Sequence, residues 1–402
     1  MVPLRVPALR HYPGVMVDLV TDAAQHAWSD PVRGPSGASA RLVFEQILRH
    51  GPRPRSELAT ALDLSGATLT RVTRDMLRSG LLRELPPVSR ERGRPQEPLD
   101  VEESRIRFVG VRVTTDALHG MVTTLRGTPR QEVSAPLVGT SPQDVQSAVT
   151  ALVAPLLSQH APVAGVGVSL GAQVRGDGQV LSSSMMGWGQ PVPLQQGLTA
   201  DLGVPVTVRN DMMALLQGLM WFGIGRGFDS FVLLTVGAGV ATGIVHRGQV
   251  LEGRRHRAGL TESLPTSTRE GRHVRLADVA SGRVLVAKGR DRGAIGPDGG
   301  LEDLIRVSRA GHSAALAIGE EAAHALAVSA ATLVGMLDPQ ALIFGGEALG
   351  VTDGHRDQFM ELLHDRLPPQ QRDIVLRRLS ADVDEWTRGA AVTAVQRFAA
   401  GR

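Results

Sequence analysis

Between Ser56 and Leu82 apolar residues recur at helical spacing on two short segments, separated by a break. Leu58, Ala59 and Leu62 mark the buried face of a first helix. Asp63-Leu64-Ser65-Gly66 interrupts the pattern, and Gly66 is expected to supply the backbone freedom of a sharp turn. A second helix is predicted over about 67–79, stopped by Gly80. Its buried stripe is Leu69, Val72 and Met76; its opposite face carries Thr68, Thr70, Arg71, Arg74 and Arg78. Upstream, residues 40–50 form an amphipathic helix whose apolar positions are Leu42, Val43, Ile47 and Leu48, ended by Gly51-Pro52. Downstream, 81–85 reads as a strand, followed by a charged, Pro-containing loop to Arg94. Three helices and a hairpin predict a winged helix-turn-helix over 39–98.

From residue 105 the periodicity changes to alternating strands and helices. Strands are predicted over 106–113, 119–125 and 131–138. A helix capped by Ser141-Pro142-Gln143-Asp144 follows, through about 158, and then a buried strand over 163–170. The same order restarts with strands over 230–235, 240–246 and 249–251, joined by glycine turns including Gly237-Ala238-Gly239. A helix rich in small residues over about 319–337 leads to a strand over 341–344 and Gly345-Gly346. Two halves, each opening with a three-stranded meander, predict a duplicated α/β architecture with a cleft between lobes, as in actin-like, hexokinase-type folds. Residues 1–38 hold five prolines and little periodicity and read as a loosely ordered tail.

Composition narrows the chemistry. The 402 residues suffice for two or three domains, and a 42% hydrophobic fraction supports real cores. Aromatics are 3%, so the cores are built from Leu, Val and Ala. Cysteine is absent, which excludes disulfides, thiolate metal sites and thiol catalysis. No apolar run approaches the roughly 20 residues of a membrane span, and the N-terminus lacks a signal-peptide core. A soluble, cytoplasmic protein without a membrane partner is expected. Lys288 is the one lysine; arginine carries nearly all positive charge.

That charge is unevenly placed. Between Arg49 and Arg94 there are ten arginines against five acidic residues, whereas the whole chain is only +3. A basic patch on one module is the footprint of phosphate binding. Arg forks onto guanine edges or phosphates, and Thr hydroxyls reach both at short range. The predicted DNA contacts are Arg55, Ser65, Thr68, Thr70, Arg71 and Arg74, with Arg92 and Arg94 from the segment Arg90-Glu91-Arg92-Gly93-Arg94-Pro95. That segment reads either as an arm entering the minor groove or as a solvated linker. The competing reading of the whole stretch is a helical hairpin with an Arg-rich solvated face.

Several motifs give the chain beyond residue 40 a resemblance to the ROK family of bacterial sugar kinases and sugar-responsive repressors. Gly165-Val166-Gly167-Val168-Ser169-Leu170-Gly171 resembles its GVGVxxPG strand and turn, with Leu170 for Pro. Leu202-Gly203-Val204-Pro205-Val206-Thr207-Val208-Arg209-Asn210-Asp211 is similar to LGxPVxVENDA. Leu234-Thr235-Val236-Gly237-Ala238-Gly239 resembles LTLGTG, and Leu342-Ile343-Phe344-Gly345-Gly346 the later VLGG turn. Ala280-Ser281-Gly282 and the junction Gly93-Arg94-Pro95 also match. The resemblance implies an actin-like body over 99–402, with lobe I at about 104–211 plus 385–402 and lobe II at about 212–384. A winged helix before that body is the layout of the family's regulators.

The departures from the kinase pattern are chemical. Where the kinases have D-x-G-G-T around ATP phosphates, this chain has Arg112-Val113-Thr114-Thr115-Asp116. In the sugar-binding A-G-E-x-G-H segment, Leu260 replaces the carboxylate and Ser263 the histidine. Met185 replaces the Asn of P-N-x-G-W. The zinc motif reads Thr268-Arg269-Glu270-Gly271-Arg272-His273-Val274-Arg275, without its thiolates. Asn210-Asp211 survives; it reads as a vestigial general-base position at Asp211, a ligand contact, or a helix N-cap. A base without phosphate loop, metal ligand and sugar ligands is idle. The resemblance therefore implies a DNA-binding regulator, most simply a repressor acting as a homodimer on a double-stranded operator. Its degenerate body would sense a carbohydrate-like effector through Asn210, Asp211, Gly237, Leu260 and Ser263, or serve only as a dimerisation scaffold. No cofactor, zinc or ATP is expected; the alternative is an ATP-dependent sugar kinase.

Overall fold

The computed structural model describes residues 33–87, 97–160, 162–256, 258–259, 264–380 and 384–401. The first unit is a winged helix: α1 (Ala38–His50), a two-residue strand β1 (Arg53–Pro54), α2 (Arg55–Leu62), α3 (Gly66–Arg78), β2 (Leu82–Glu84) and β3 (Pro98–Val101). The three strands pair antiparallel in the order β1-β3-β2. The hairpin thus runs to Val101, three residues past the boundary expected at 98. The sharp turn before α3 falls on Asp63, which takes the left-handed conformation at φ 51°. Gly66 instead begins α3, and Asp is among the few side chains that tolerate that conformation. Gly80 does end α3 with a positive φ, and Leu81 N–H closes back on the Met76 carbonyl at 2.9 Å.

The buried stripe of α3 is Leu69, Val72, Thr73 and Met76. Thr73 is tolerated there because its hydroxyl donates to the Leu69 carbonyl at 2.8 Å. In α1 the buried face is Ala40, Val43, Phe44, Ile47 and Leu48, while Leu42, expected inside, is half exposed. Phe44 replaces it because the inward face of α1 is rotated toward the body of the protein.

That body repeats one topology twice. The first sheet contains β4 (Arg107–Val113), β5 (Ala117–Thr123), β6 (Pro129–Pro136), β7 (Val163–Leu170) and β10 (Val206–Asn210), in the order β10-β7-β4-β5-β6. The second contains β11 (Phe231–Val236), β12 (Val240–His246), β13 (Gln249–Val250), β16 (Ala341–Gly345) and β17 (Val375–Arg378), in the order β13-β12-β11-β16-β17. In each, an antiparallel meander of three strands is extended by two parallel strands. This is the two-lobed, actin-like plan expected from the restart of the strand pattern. Strand β17 carries no sequence signal of its own because it is a short, partly exposed edge.

Two helices lie between the sheets: α6 (Asp211–Phe222) and the last helix, α12 (Glu385–Ala399). Their approach depends on missing side chains. A Cβ on Gly218 would lie 2.9 Å from the Gly389 Cα. On the sheet side, a Cβ on Gly110 would meet the Thr387 carbonyl oxygen at 2.3 Å, and one on Gly167 the Ala390 oxygen at 1.8 Å. The glycines of the Gly165–Gly171 stretch therefore serve packing as well as the turn. Helix α12 closes the first lobe from the far end of the chain.

The segment matching the zinc motif forms a hairpin, β14 (Pro265–Ser267) with β15 (His273–Arg275), turned at Gly271 with φ 82°. It is anchored to the long helix α10 (Ser313–Leu337) by Thr266 Oγ1 donating to the Ala325 carbonyl at 2.7 Å and Ser329 Oγ to that of Pro265 at 3.2 Å. Thr268, Glu270 and Arg275 do not fit a tetrahedral zinc site, and hydrogen bonds hold the hairpin instead. The close packing under α12 yields a test. Gly167→Ala should destabilise the fold by roughly 1–3 kcal/mol through overpacking. Gly176→Ala, whose added methyl meets open space, should stay within about 0.5 kcal/mol. Urea unfolding of the two variants measures the difference, and equal midpoints would refute the packing role.

Candidate functional site

On the winged helix, Ser65 is the N-cap of α3: its hydroxyl oxygen accepts from the Thr68 N–H at 3.2 Å and its O–H donates to Thr68 Oγ1 at 3.0 Å. Such a cap contributes about 1 kcal/mol and fixes the entry of the helix. Beyond it, Thr70, Arg71, Arg74 and Arg78 stand exposed along one side. Among the described residues no carboxylate pairs with these three arginines. Arg55 differs from the expectation. Its Nη2 donates to Glu84 on β2 at 2.6 Å, and its Nε lies 3.5 Å from Thr73 Oγ1. That guanidinium braces α2 against the wing and is already engaged. Arg92 and Arg94 lie outside the described residues.

The second site is the cleft between the lobes, a cavity of about 2030 Å³. Asn210, Asp211 and Gly237 line it; Leu260 and Ser263 lie outside the described residues. Asn210 is buried and fully used: Oδ1 accepts from Met213 N–H at 3.2 Å, and Nδ2 donates to the Ala172 carbonyl at 2.9 Å. It is the N-cap of α6. Asp211 follows, accepting Met212 N–H at 2.8 Å. Burial pushes its carboxyl above the usual range, while Met212 N–H and the positive charge of Arg112 act in the opposite direction. Arg112 lies 4.7 Å from the centroid of the Trp386 ring. Met185, 54% exposed, lays its thioether over Gly171.

Gly237 does not present an open glycine turn. Both carboxylate oxygens of Glu347 lie 2.8 Å from where its Cβ would be. Arg112 thus stands at the end of β4 with Thr114 and Thr115 after the strand, and a carboxylate lies over the glycine turn at Gly237. Trp386 and Glu347 are among the cleft residues that the sequence reading missed. The signal available for Trp386 was its rarity, one of four tryptophans; Glu347 had none, being an ordinary acid after a glycine turn.

Cleft and reading head are joined by short routes. Helix α6 starts at Asp211 in the cleft and ends where Arg49 of α1 lies 5.4 Å from the Trp221 ring centroid. Helix α12 starts beside Trp386 and ends at Phe398, edge-on to Phe44 of α1 at 6.2 Å and to Phe108 at 5.5 Å. Each such pair contributes about 0.5–1.5 kcal/mol beyond its buried area. Arg126, in the turn between β5 and β6, completes the joint. It donates to the Ile47 and Leu48 carbonyls at 3.0 and 3.1 Å, to Asp100 at 2.6 Å and to Glu103 at 2.8 Å. Burial opposes its charge, but the two carboxylates more than offset this and hold it protonated.

A winged helix fused to a duplicated actin-like body defines a class of two-module protein with an N-terminal winged helix and an interlobe cleft. The model of the ROK family matches residues 108–396, and the chain belongs to that family. The transcriptional regulator Rv0485 of Mycobacterium tuberculosis is 27% identical over 341 residues, 78% of this chain and 75% of that protein. The bifunctional enzyme NanE/NanK of Brucella melitensis is 34% identical over 190 residues; the match covers 47% of this chain but only 36% of the enzyme. Among solved structures, a ROK family transcriptional regulator described as a homolog of the E. coli MLC protein superposes with a TM-score of 0.75 at 20% identity. It covers 89% of this chain and 96% of its own. A ROK family glucokinase from Streptomyces griseus, in complex with glucose and AMPPNP, superposes at 0.59 and 23% identity, covering 71% of this chain and 98% of its own.

The Arg126 joint generates the test of this section. Arg126→Ala strips the shortest partner from Asp100, whose side chain is only 7% exposed and keeps Arg83 at 3.5 Å. Breaking such a pair should cost roughly 3 kcal/mol. Denaturant unfolding reads the loss, and a change below about 0.5 kcal/mol would show that the joint does not hold the two modules together.

Proposed function

We propose that the protein is a DNA-binding transcriptional regulator, in its simplest form a repressor, that acts in the cytoplasm as a homodimer on a two-fold-symmetric operator. The observation that carries this reading is the exposed face of α3, where Arg71 and Arg74 stand without a carboxylate partner among the described residues beside Thr70. Two such helices, about one DNA turn apart in a dimer, read palindromic half-sites. The similarity to Rv0485 and the full-length likeness to a ROK regulator support it. The body acts as sensor: an effector in the cleft shifts DNA binding only through different affinities for two lobe arrangements. Helices α6 and α12 run from that cleft to α1 and are the means of transmission.

The second reading, a sugar kinase, draws on the NanE/NanK and glucokinase matches. Against it stand Arg112 in the phosphate loop and the Glu347 carboxylate over Gly237. Asp211 then has no phosphoryl donor to serve, and neither zinc nor ATP is required.

Genomic fragments retained by the purified protein identify the operator. On that site Arg71→Ala should weaken binding by roughly 1–3 kcal/mol, whereas Arg55→Ala should act mainly on stability because its partner is Glu84. Uniform, steeply salt-dependent retention of every fragment would defeat the specific-regulator reading. A coupled assay with ATP and glucose, mannose or N-acetylmannosamine should show no turnover above background; sustained turnover would reinstate the kinase.

A further inference from the structure

Arg112 occupies an unusual position for an arginine. It sits in the cleft wall at the end of β4, half-buried, on the floor of the cavity that also holds Asp211 and Trp386. Among the described residues no carboxylate or carbonyl accepts a hydrogen bond from it. The centroid of the Trp386 ring lies 4.7 Å from its guanidinium, and His119 and Ser169 flank it in register on the adjacent strands. A ring face attracts the cation but uses none of the five N–H donors of a guanidinium. The acids nearby are otherwise engaged. Asp384 caps α12, accepting from the Trp386 and Thr387 N–H groups at 3.1 Å. Glu385 lies 2.6 Å from Arg388. Asp211 accepts from Met212 N–H, and Arg112 acts on it through charge; among the described residues no ion pair joins the two.

Two helices of 12 and 15 residues, α6 and α12, also open onto this cavity by their N-termini. Their caps use the first N–H groups, so they add positive potential rather than donors. At the end of the neighbouring strand β7, the exposed Met185 side chain covers Gly171, and both line the cavity.

We infer that the cleft contains an anion subsite at Arg112, built for a small hydroxylated organic acid or phosphate monoester. The carboxylate or phosphate forks onto the guanidinium, which Trp386 holds in place, and a neighbouring hydroxyl donates to Asp211. A neutral polyol offers the guanidinium only uncharged hydroxyl acceptors, which make weaker hydrogen bonds and no bidentate fork, so it binds less tightly than its acidic counterpart. This subsite deepens the sensor reading and rests on it for its biological use, though not for its chemistry.

The test is calorimetric titration of the full-length protein with gluconate, glucose 6-phosphate, inorganic phosphate, glucose and xylose. At least one organic anion should bind at least about tenfold more tightly than glucose. Arg112→Gln should weaken it about 10- to 100-fold, with an unchanged unfolding midpoint showing that the variant is folded. Asp211→Asn should weaken the hydroxylated anions and leave inorganic phosphate unaffected. Preference for gluconate or for glucose 6-phosphate separates a carboxylate from a phosphate source. No binding by any anion, binding unaltered in Arg112→Gln, or tighter binding of the neutral sugars would each overturn the inference. An anion that binds through Arg112 without changing operator affinity would leave the subsite standing and remove the sensor reading. A neutral sugar that changes operator affinity equally in wild type and Arg112→Gln would do the reverse.

Discussion

The last helix of the chain, Glu385–Ala399, is packed so closely that four glycines are needed to admit it. Gly110 and Gly167 let it lie on the first sheet, and its own Gly389 meets Gly218 of the helix that leads out of the cleft. Because protein interiors are close-packed, neither helix can shift without displacing the other. Both begin at the cleft and both end on Ala38–His50, through Trp221 with Arg49 and through Phe398 with Phe44. The hydrophobic core of the winged helix is therefore continuous with that of the body. Arg126 adds a polar rivet on the other side of the same helix, tying its last carbonyls to Asp100 and Glu103. The reading head is built onto the body.

The cleft illustrates how one scaffold can change chemistry by moving charge. A phosphate loop requires backbone N–H groups at close range and no anion beside them. Here Arg112 stands at the end of the central strand β4, and the Glu347 carboxylate lies over the glycine turn at Gly237. Asp211 remains where burial raises its affinity for a proton. Its neighbour Asn210 is retained for a structural reason, since both of its amide atoms are consumed in capping α6 and fastening it to Ala172.

Much of the fold was legible in the sequence because the informative signals are local. Hydrophobic period separated the helices near the N-terminus from the strands that follow, and the restart of the meander exposed the duplication. Ser141 and Asp144 announced a helix start by side-chain chemistry, and the capping box is formed. Where local signals were ambiguous, the reading failed in understandable ways. Leu42 looked like a core residue because its helix is apolar on more than one side; contact with Phe398 makes Phe44 the buried one. Gly66 looked like the turn residue, but the left-handed position fell on Asp63.

The sequence by itself determined the elements, their order, the basic face of the second helix-turn-helix segment and the loss of the zinc thiolates. These follow from residue type and spacing within a few turns of backbone. Only the tertiary structure decided which polar groups are already spent. Arg55 is spent on Glu84, Asn210 on α6 and Ala172, and Arg126 on the joint, whereas Arg112 faces Trp386 with its donors uncommitted. Partners such as Arg126 and Ile47, or Arg112 and Trp386, lie far apart in the chain and meet because two sheets and two crossing helices bring them together. Hydrogen bonding and ion pairing act over a few ångströms, so they depend on that meeting rather than on sequence distance.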